Sequence, residues 1–507
     1  MPGNLPLFLR YCLAALPILM LLGLMVGPRW SAQKAGPAAW LGSVATAVLA
    51  FGLTPEVWWV SQARGLLLSL YVLAIIWPAL LLYNLNNRAG GIRAIALGLE
   101  QAIRDRGLLL LVLAWAFSAV LEGLAGFGLP IAVVSPMLVA LGVEPVMSVA
   151  AVAVGHAWAV SFGDMGVIMQ TLSGVTQIDI AALAPASALM LGAACLVCGL
   201  AAARVLNQGR LWPQVLGLGL VMATAQYGLA VGGLTPLAAL GAGLAGLLGG
   251  ILLSRAKTAQ ENRIFSPALN GALASYGGLI VIMTAIAWPG PLRGLLYPLL
   301  WQAHFPAVTT LAGFATPAGT GQAFRPLIHP GSAILLITLA SYAAFRRACL
   351  CVPGDLSAAA RATWRSGYPV SVGIIAAVGL SSLMEHAGMT QLLAQGLAAL
   401  MGASFPLVSP LVGILGAFCT GSNNNSNVLF GPLQKSIAAL LAIDPRLLLA
   451  AQTTGGALGS MIAPAKITVG CSTVGLVGRE GDVLRRTLFY GLGIGLLLGG
   501  LALLFTQ

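Results

Sequence analysis

Charge is what this chain lacks. Aspartate and glutamate supply 13 of its 507 residues and lysine and arginine 25, while 59% of positions are hydrophobic and the mean hydropathy is +0.94. So little charge cannot cover the surface of a soluble domain of this size. Alternation is missing too. The apolar runs are continuous over about 20 residues, which excludes a β-barrel and leaves helices that cross a bilayer. Cysteine is sparse, at seven residues, and histidine sparser, at four. Cys195-x-x-Cys198 lies in an alanine-rich run with no histidine nearby, where packing is the expected role. There is no Walker A motif, no soluble nucleotide domain and no zinc spacing. These absences argue against a primary pump, an intramembrane metalloprotease or another enzyme, and no metal or cofactor is expected. The net charge of +12 does not imply nucleic acid, because the arginines scatter over short loops as the positive-inside bias requires. Residues 5–26 carry Arg10 and no small-residue cleavage pattern, so they read as a retained helix and not a signal peptide.

Against this apolar background one polar stretch stands out, residues 416–435, GAFCTGSNNNSNVLFGPLQK. From Thr420 to Asn427 every side chain is a hydroxyl, an amide or hydrogen. Such an island does not face lipid, where unsatisfied backbone groups cost several kcal/mol each. It is expected to be a broken helix or a re-entrant hairpin tip that lines a cavity; a polar loop outside the membrane is the alternative. Basic residues crowd the connections 88–106, 204–210, 255–263, 346–365 and 479–486, all placed in the cytoplasm. Residues 288–331 contain seven prolines and resist assignment.

An internal repeat organises the rest. Val143-Glu144-Pro145 and Ile443-Asp444-Pro445 stand 300 positions apart, and Ala150-Ala151 and Gly155 meet Ala450-Ala451 and Gly455 at the same offset. The loop charges reverse between the copies. Connection 84–107 carries Arg88, Arg93, Arg104 and Arg106, whereas 386–404 carries no basic residue. Connection 173–181 carries only Asp179, whereas its counterpart carries Arg479, Arg485 and Arg486. The expected fold is therefore all-α and polytopic, with inverted-topology repeats, broken helices or re-entrant hairpins and roughly 12–14 transmembrane segments. On this reading residues 1–64 are N-terminal transmembrane helices and 206–365 an intervening segment. Repeat 1 covers 65–205, with breaks at 122–130 and 155–166; repeat 2 covers 366–507, with breaks at 420–427 and 455–466.

The breaks name the candidate site. Gly123, Gly126 and Gly128 let the backbone leave the helix and approach a ligand, with Phe127 between the last two as a further substrate-binding candidate, and Pro130 can start the next half-helix. Ser422, Asn423, Asn424, Asn425, Ser426 and Asn427 can donate to a carboxylate or hydroxyl, or else serve as caps and interhelical bonds. Ionisable groups at depth are few, each costing about 2.5–3.5 kcal/mol to insert. Glu122 is the first proton candidate; His156 and Asp164 are the others. Lys466 is a candidate counter-ion for the substrate. Asp164 and Lys466 lie near pseudo-equivalent positions, so either a mutual ion pair is expected or both sit at interfacial ends of broken helices and touch water. Glu385-His386 ends an apolar run and is expected at the interface.

Two motifs, Glu122-Gly123-x-Ala125-Gly126-Phe127-Gly128-x-Pro130 and Thr420-Gly421-Ser422-x-x-x-Ser426-Asn427-x-Leu429-Phe430, together with the block from Gly455 to Val474-Gly475-Leu476-Val477-Gly478-Arg479-Glu480, resemble the L-lactate permease family of bacterial secondary transporters. The match is strong over 107–172 and 411–486. It implies import of lactate, glycolate or a related 2-hydroxy acid with protons, by alternating access, in a cytoplasmic membrane. The chain departs from the family pattern at Gly155-His156-Ala157-Trp158, Asp164, Gln452, Ser460 and Ala463-Pro464-Ala465-Lys466, all in the second break of each half. The alternatives are another small organic anion, coupling to Na⁺, or an anion channel or facilitator on the same repeats.

Overall fold

A computed structural model describes residues 6–28, 30–126, 128–255, 266–287, 290–477 and 479–506. Among them eleven helices are long and apolar enough to cross a membrane, and strands occur only as four two-residue pieces between 304 and 320. The chain is an all-helical, polytopic integral membrane protein. Helix is the form that satisfies every backbone group within its own segment where no water is available.

Two runs of elements repeat in order. The first is Pro55–Arg88, the short Gly91–Ala102, a hairpin of Arg106–Ala125 and Leu129–Ala140, a broken helix within Pro145–Thr176, and Ile180–Val205. The second is Asp355–His386, Met389–Met401, a hairpin of Phe405–Thr420 and Asn423–Leu440, the broken pair Pro445–Gly459 and Pro464–Thr473, and Glu480–Phe505. The hairpins enter from opposite ends. The Arg106 guanidinium donates to the Leu141 carbonyl at the mouth of the first hairpin, beside the start of the first broken helix. That helix ends at Thr176, whose carbonyl accepts from Lys435 Nζ, on the returning arm of the second hairpin, at 2.6 Å. The first mouth belongs to the arginine-rich end, where Arg210 pairs with Asp105 and, nearby in sequence, Arg88 with Asp355. The positive-inside rule assigns that end to the cytoplasm and the second mouth to the outside.

The repeated acid–proline step has a local cause. Glu144 accepts from the N–H groups of Val146 and Met147, and Asp444 from that of Arg446; Pro145 and Pro445 then supply a first helical residue that needs no hydrogen bond. The Arg446 guanidinium beside Asp444 also holds its carboxyl below the usual range. Close backbone approach explains the paired glycines. A Cβ on Gly155 would fall 2.1 Å from the Ala114 carbonyl oxygen, and one on Gly455 2.0 Å from that of Pro410. Each broken helix therefore lies directly on the first arm of its own hairpin.

The proline-rich stretch forms a lobe. His304–Phe305 pairs with Gly319–Thr320 and Val308–Thr309 with Ala315–Thr316, and the Leu311 N–H bonds to the Gly52 carbonyl at the outer end. Arg325 sits over the Tyr297 ring at 3.9 Å, so it is engaged within the lobe.

The glycine contacts are testable by thermal unfolding in detergent. Gly155→Val and Gly455→Val should each cost about 2–3 kcal/mol or prevent folding, since the clash is with backbone. Gly493→Ala, with nothing within 4 Å of its added carbon, should leave the midpoint unchanged. Equal behaviour of the three variants would contradict the close-approach account.

Candidate anion-binding site

Each of the four breaks restarts a helix, and the restarts converge. Gly128, at φ +86°, turns the first hairpin into Leu129–Ala140. Gly421, at φ +73°, turns the second through Ser422 into Asn423–Leu440. The first broken helix resumes at Val167 after Asp164 and Met165, which both hold positive φ, 50° and 54°. A left-handed Asp–Met pair is uncommon for residues with side chains, and such strain concentrates at sites that use it. The second broken helix resumes at Pro464. Leu129, Val167, Ser422 to Asn425, Ala465 and Lys466 all line one cavity of about 430 Å³. The Leu129 N–H is taken by the Gly126 carbonyl and the Val167 N–H by the Asp164 carbonyl, but each half-helix start still carries roughly half a positive charge, so four of them around one space make it receptive to an anion.

The cavity extends from these tips toward the cytoplasmic end, where its walls include Tyr83, Asn84 and Arg365. Asn424 and Asn425 are buried in its wall; both side-chain polar atoms of Asn424 and the carbonyl oxygen of Asn425 lack a hydrogen-bond partner within the chain. Asn423, which also lines it, is held in place: its Nδ2 donates to Ser161 Oγ at 3.0 Å and to the Thr453 carbonyl at 3.2 Å.

Beside the cavity, with Asp164 and Lys466 reaching its lining, sits the charged cluster. Glu122 is fully buried, and neither carboxylate oxygen has a hydrogen-bond partner. Lys466 Nζ lies 3.9 Å from one oxygen and His156 Nε2 3.9 Å from the other. His156 Nδ1 lies 2.7 Å from the Val152 carbonyl, to which it must donate. A neutral ring then presents a bare Nε2 to Glu122, and one proton can serve both groups. Asp164 accepts from the backbone N–H of Gly126. A side chain at Gly126 would displace both carboxylates, since its Cβ would lie 2.5 Å from Glu122 and 2.8 Å from Asp164.

The sequence candidates thus divide. Gly126, Gly128, Glu122, His156, Asp164 and Lys466 are brought together, and Ser422, Asn423, Asn424 and Asn425 join them at the cavity. Ser426 and Asn427 face away from it: Ser426 Oγ donates to the Gly413 carbonyl and Asn427 Nδ2 to Thr453 Oγ1. Phe127 lies outside the described residues. The expected Asp164–Lys466 pair is replaced by Lys466–Glu122, because Asp164 is drawn to the open backbone of the hairpin tip. Sequence reasoning missed Ser161 and Thr453, whose hydroxyls bond at 3.0 Å and tie the two halves together. Their signal was Ser161 inside the first break and the Thr453-Thr454 pair just before the second.

A family model described as L-lactate permease matches residues 11–272 and 297–506. The glycolate permease GlcA of Escherichia coli (strain K12) is 27% identical over 97% of this chain and 94% of its own. The L-lactate permease of Bacillus subtilis (strain 168) is 28% identical over the same shares. Among solved structures, the Alcanivorax borkumensis YdaH transporter aligns over 98% of this chain and 97% of its own, with 17% identity and a TM-score of 0.47.

The cluster predicts a non-additive cycle. Lys466→Met leaves the buried Glu122 without its ammonium and should cost about 3 kcal/mol. Glu122→Gln together with Lys466→Met should regain most of that loss in thermal unfolding. A double variant as unstable as the sum of the singles would separate the two residues energetically.

Proposed function

The chain belongs to the L-lactate permease family, and from that premise we propose that it is a secondary transporter that moves a small 2-hydroxy monocarboxylate, lactate or glycolate, together with protons. The observation that carries this reading is the convergence of four half-helix starts and Lys466 on one cavity, with Asn424 and Asn425 unpartnered in its wall. The carboxylate takes the N–H groups at Asn423–Asn425 and the field of Lys466; the substrate hydroxyl takes the amide of Asn424 or Asn425. Amides can both donate and accept, which suits a hydroxyl.

Charge balance supports the proton. With Glu122 and Asp164 both ionised, Lys466 offsets one of two buried negative charges. A monoanion adds another. In a site of low dielectric that surplus is costly, so anion and proton enter more favourably as a pair than singly. Glu122 with His156 is the assigned proton holder, and Gly126 keeps Asp164 oriented beside it. The cavity reaches the arginine-rich end, so this conformation faces the cytoplasm; an outward-facing counterpart completes alternating access in an inner membrane.

Proteoliposome uptake of labelled L-lactate and glycolate tests the reading. Accumulation above equilibrium should follow an imposed pH gradient, with or without Na⁺. Glu122→Gln should abolish accumulation while retaining exchange of labelled for unlabelled substrate at a reduced rate. Uptake that never exceeds equilibrium in the unmodified protein would indicate a facilitator, and accumulation that needs Na⁺ would reassign the coupling ion.

A further inference from the structure

A second, smaller chamber of about 90 Å³ lies near the outer end, walled by Arg64, Gln177, Gln322, Ser382, Glu385 and His386. That is the space of about three water molecules, enough for a compact monoanion and too little for a long one. It shares its walls with the central cavity. Helix Pro55–Arg88 gives Leu68 to the outer chamber and Ile76 to the inner; Asp355–His386 gives Val378 and Ile374; the half-helix Val167–Thr176 gives Val175 and Ile168. Between the two levels the Tyr71 hydroxyl donates to Gln170 Oε1 at 2.9 Å, joining two of these helices. The chambers are two widenings of one seam, with a packed stretch between them.

We propose that the outer chamber is a second binding site for the transported carboxylate, with Arg64 as its counter-ion, an inference that rests on the transport reading above. Arg64 Nε is buried and has no hydrogen-bond partner. Its Nη1 lies 3.4 Å from His386 Nε2, and its guanidinium sits 5.2 Å from the centre of the Phe305 ring. A carboxylate that enters takes the two Nη groups in place of the long His386 contact, the two-bond geometry a guanidinium offers and an ammonium does not. The surrounding charge leaves room for one anion. Arg64 and Glu385 both line the chamber, and the Lys435 ammonium stands beside it at the Thr176 carbonyl. His386 Nδ1 lies 2.7 Å from the Ser382 carbonyl, to which it donates, leaving Nε2 to accept from Arg64 as a neutral ring. The sum is one positive charge, matched by a monocarboxylate. Anions arriving from outside are held here while the central cavity faces the cytoplasm.

The test is directional transport of labelled L-lactate in proteoliposomes of known orientation. Arg64→Gln should raise KM for transport from the outer face about tenfold through loss of a charge-assisted bond. KM from the cytoplasmic face and kcat for inward transport should stay within about twofold, while kcat for outward transport falls about tenfold, since kcat/KM in the two directions must change together. Glu385→Gln, which adds a net positive charge, should lower outer KM, and Arg64→Lys should recover part of the loss. Arg64 and Glu385 variants that shift outer KM in the same direction, or that shift KM equally at the two faces, would overturn the outer site while leaving the transporter reading intact. If Arg64→Gln does not fold, Glu385→Gln alone decides by the sign of its effect. Absence of any uptake by the unmodified protein would remove both readings together.

Discussion

Free backbone N–H groups inside a membrane are the constraint on which this structure depends. Each helix restart leaves such donors without carbonyl partners, and at membrane depth no water can supply them. A chain that breaks four helices at one level must therefore gather those donors around polar atoms or a ligand. Here it does both. Asp164 accepts from the Gly126 N–H, while the start of Asn423–Leu440 is left facing the cavity. The same positive field makes it tolerable to bury Glu122 and Asp164 with only one ammonium between them.

The arrangement needs two halves. One hairpin tip supplies the bend beside Glu122, and the other supplies the asparagines. Ser161, Asn423 and Thr453 bond across the junction, holding the second tip against the first broken helix. Inverting one half relative to the other brings tips that enter from opposite ends to the same depth. A parallel duplication would set both hairpin mouths at one end. Both chambers lie along the seam between the long helices Pro55–Arg88 and Asp355–His386, which occupy matching places in the two halves.

Packing at the breaks shows how few residue types suffice. Gly155 and Gly455 bring broken helix and hairpin arm into backbone contact, and Gly499 does the same against the Leu407 carbonyl, 2.0 Å from its absent Cβ. Close helices exclude space for water, and the polar groups left inside then carry most of the specificity. A buried amide such as Gln452, which donates to Ser426 Oγ at 3.1 Å and accepts from Gln434 at 3.0 Å, orders the interior without adding charge.

Much of this was legible in sequence, for local reasons. The scarcity of charge determined the solvent, the continuous apolar runs determined helix, and the offset of Glu144-Pro145 and Asp444-Pro445 revealed the repeat because a cap and its proline are read from neighbours alone. The reversed arginine loops gave its hand. Glycines and asparagines marked the breaks. Tertiary structure alone decided partnership: that Lys466 meets Glu122 and not Asp164, that Ser426 and Asn427 turn away from the cavity, and that Arg64 stands beside His386 across 322 positions of chain. Those outcomes depend on how helices rotate about their axes when packed, by a fraction of a turn that no run of apolar residues records.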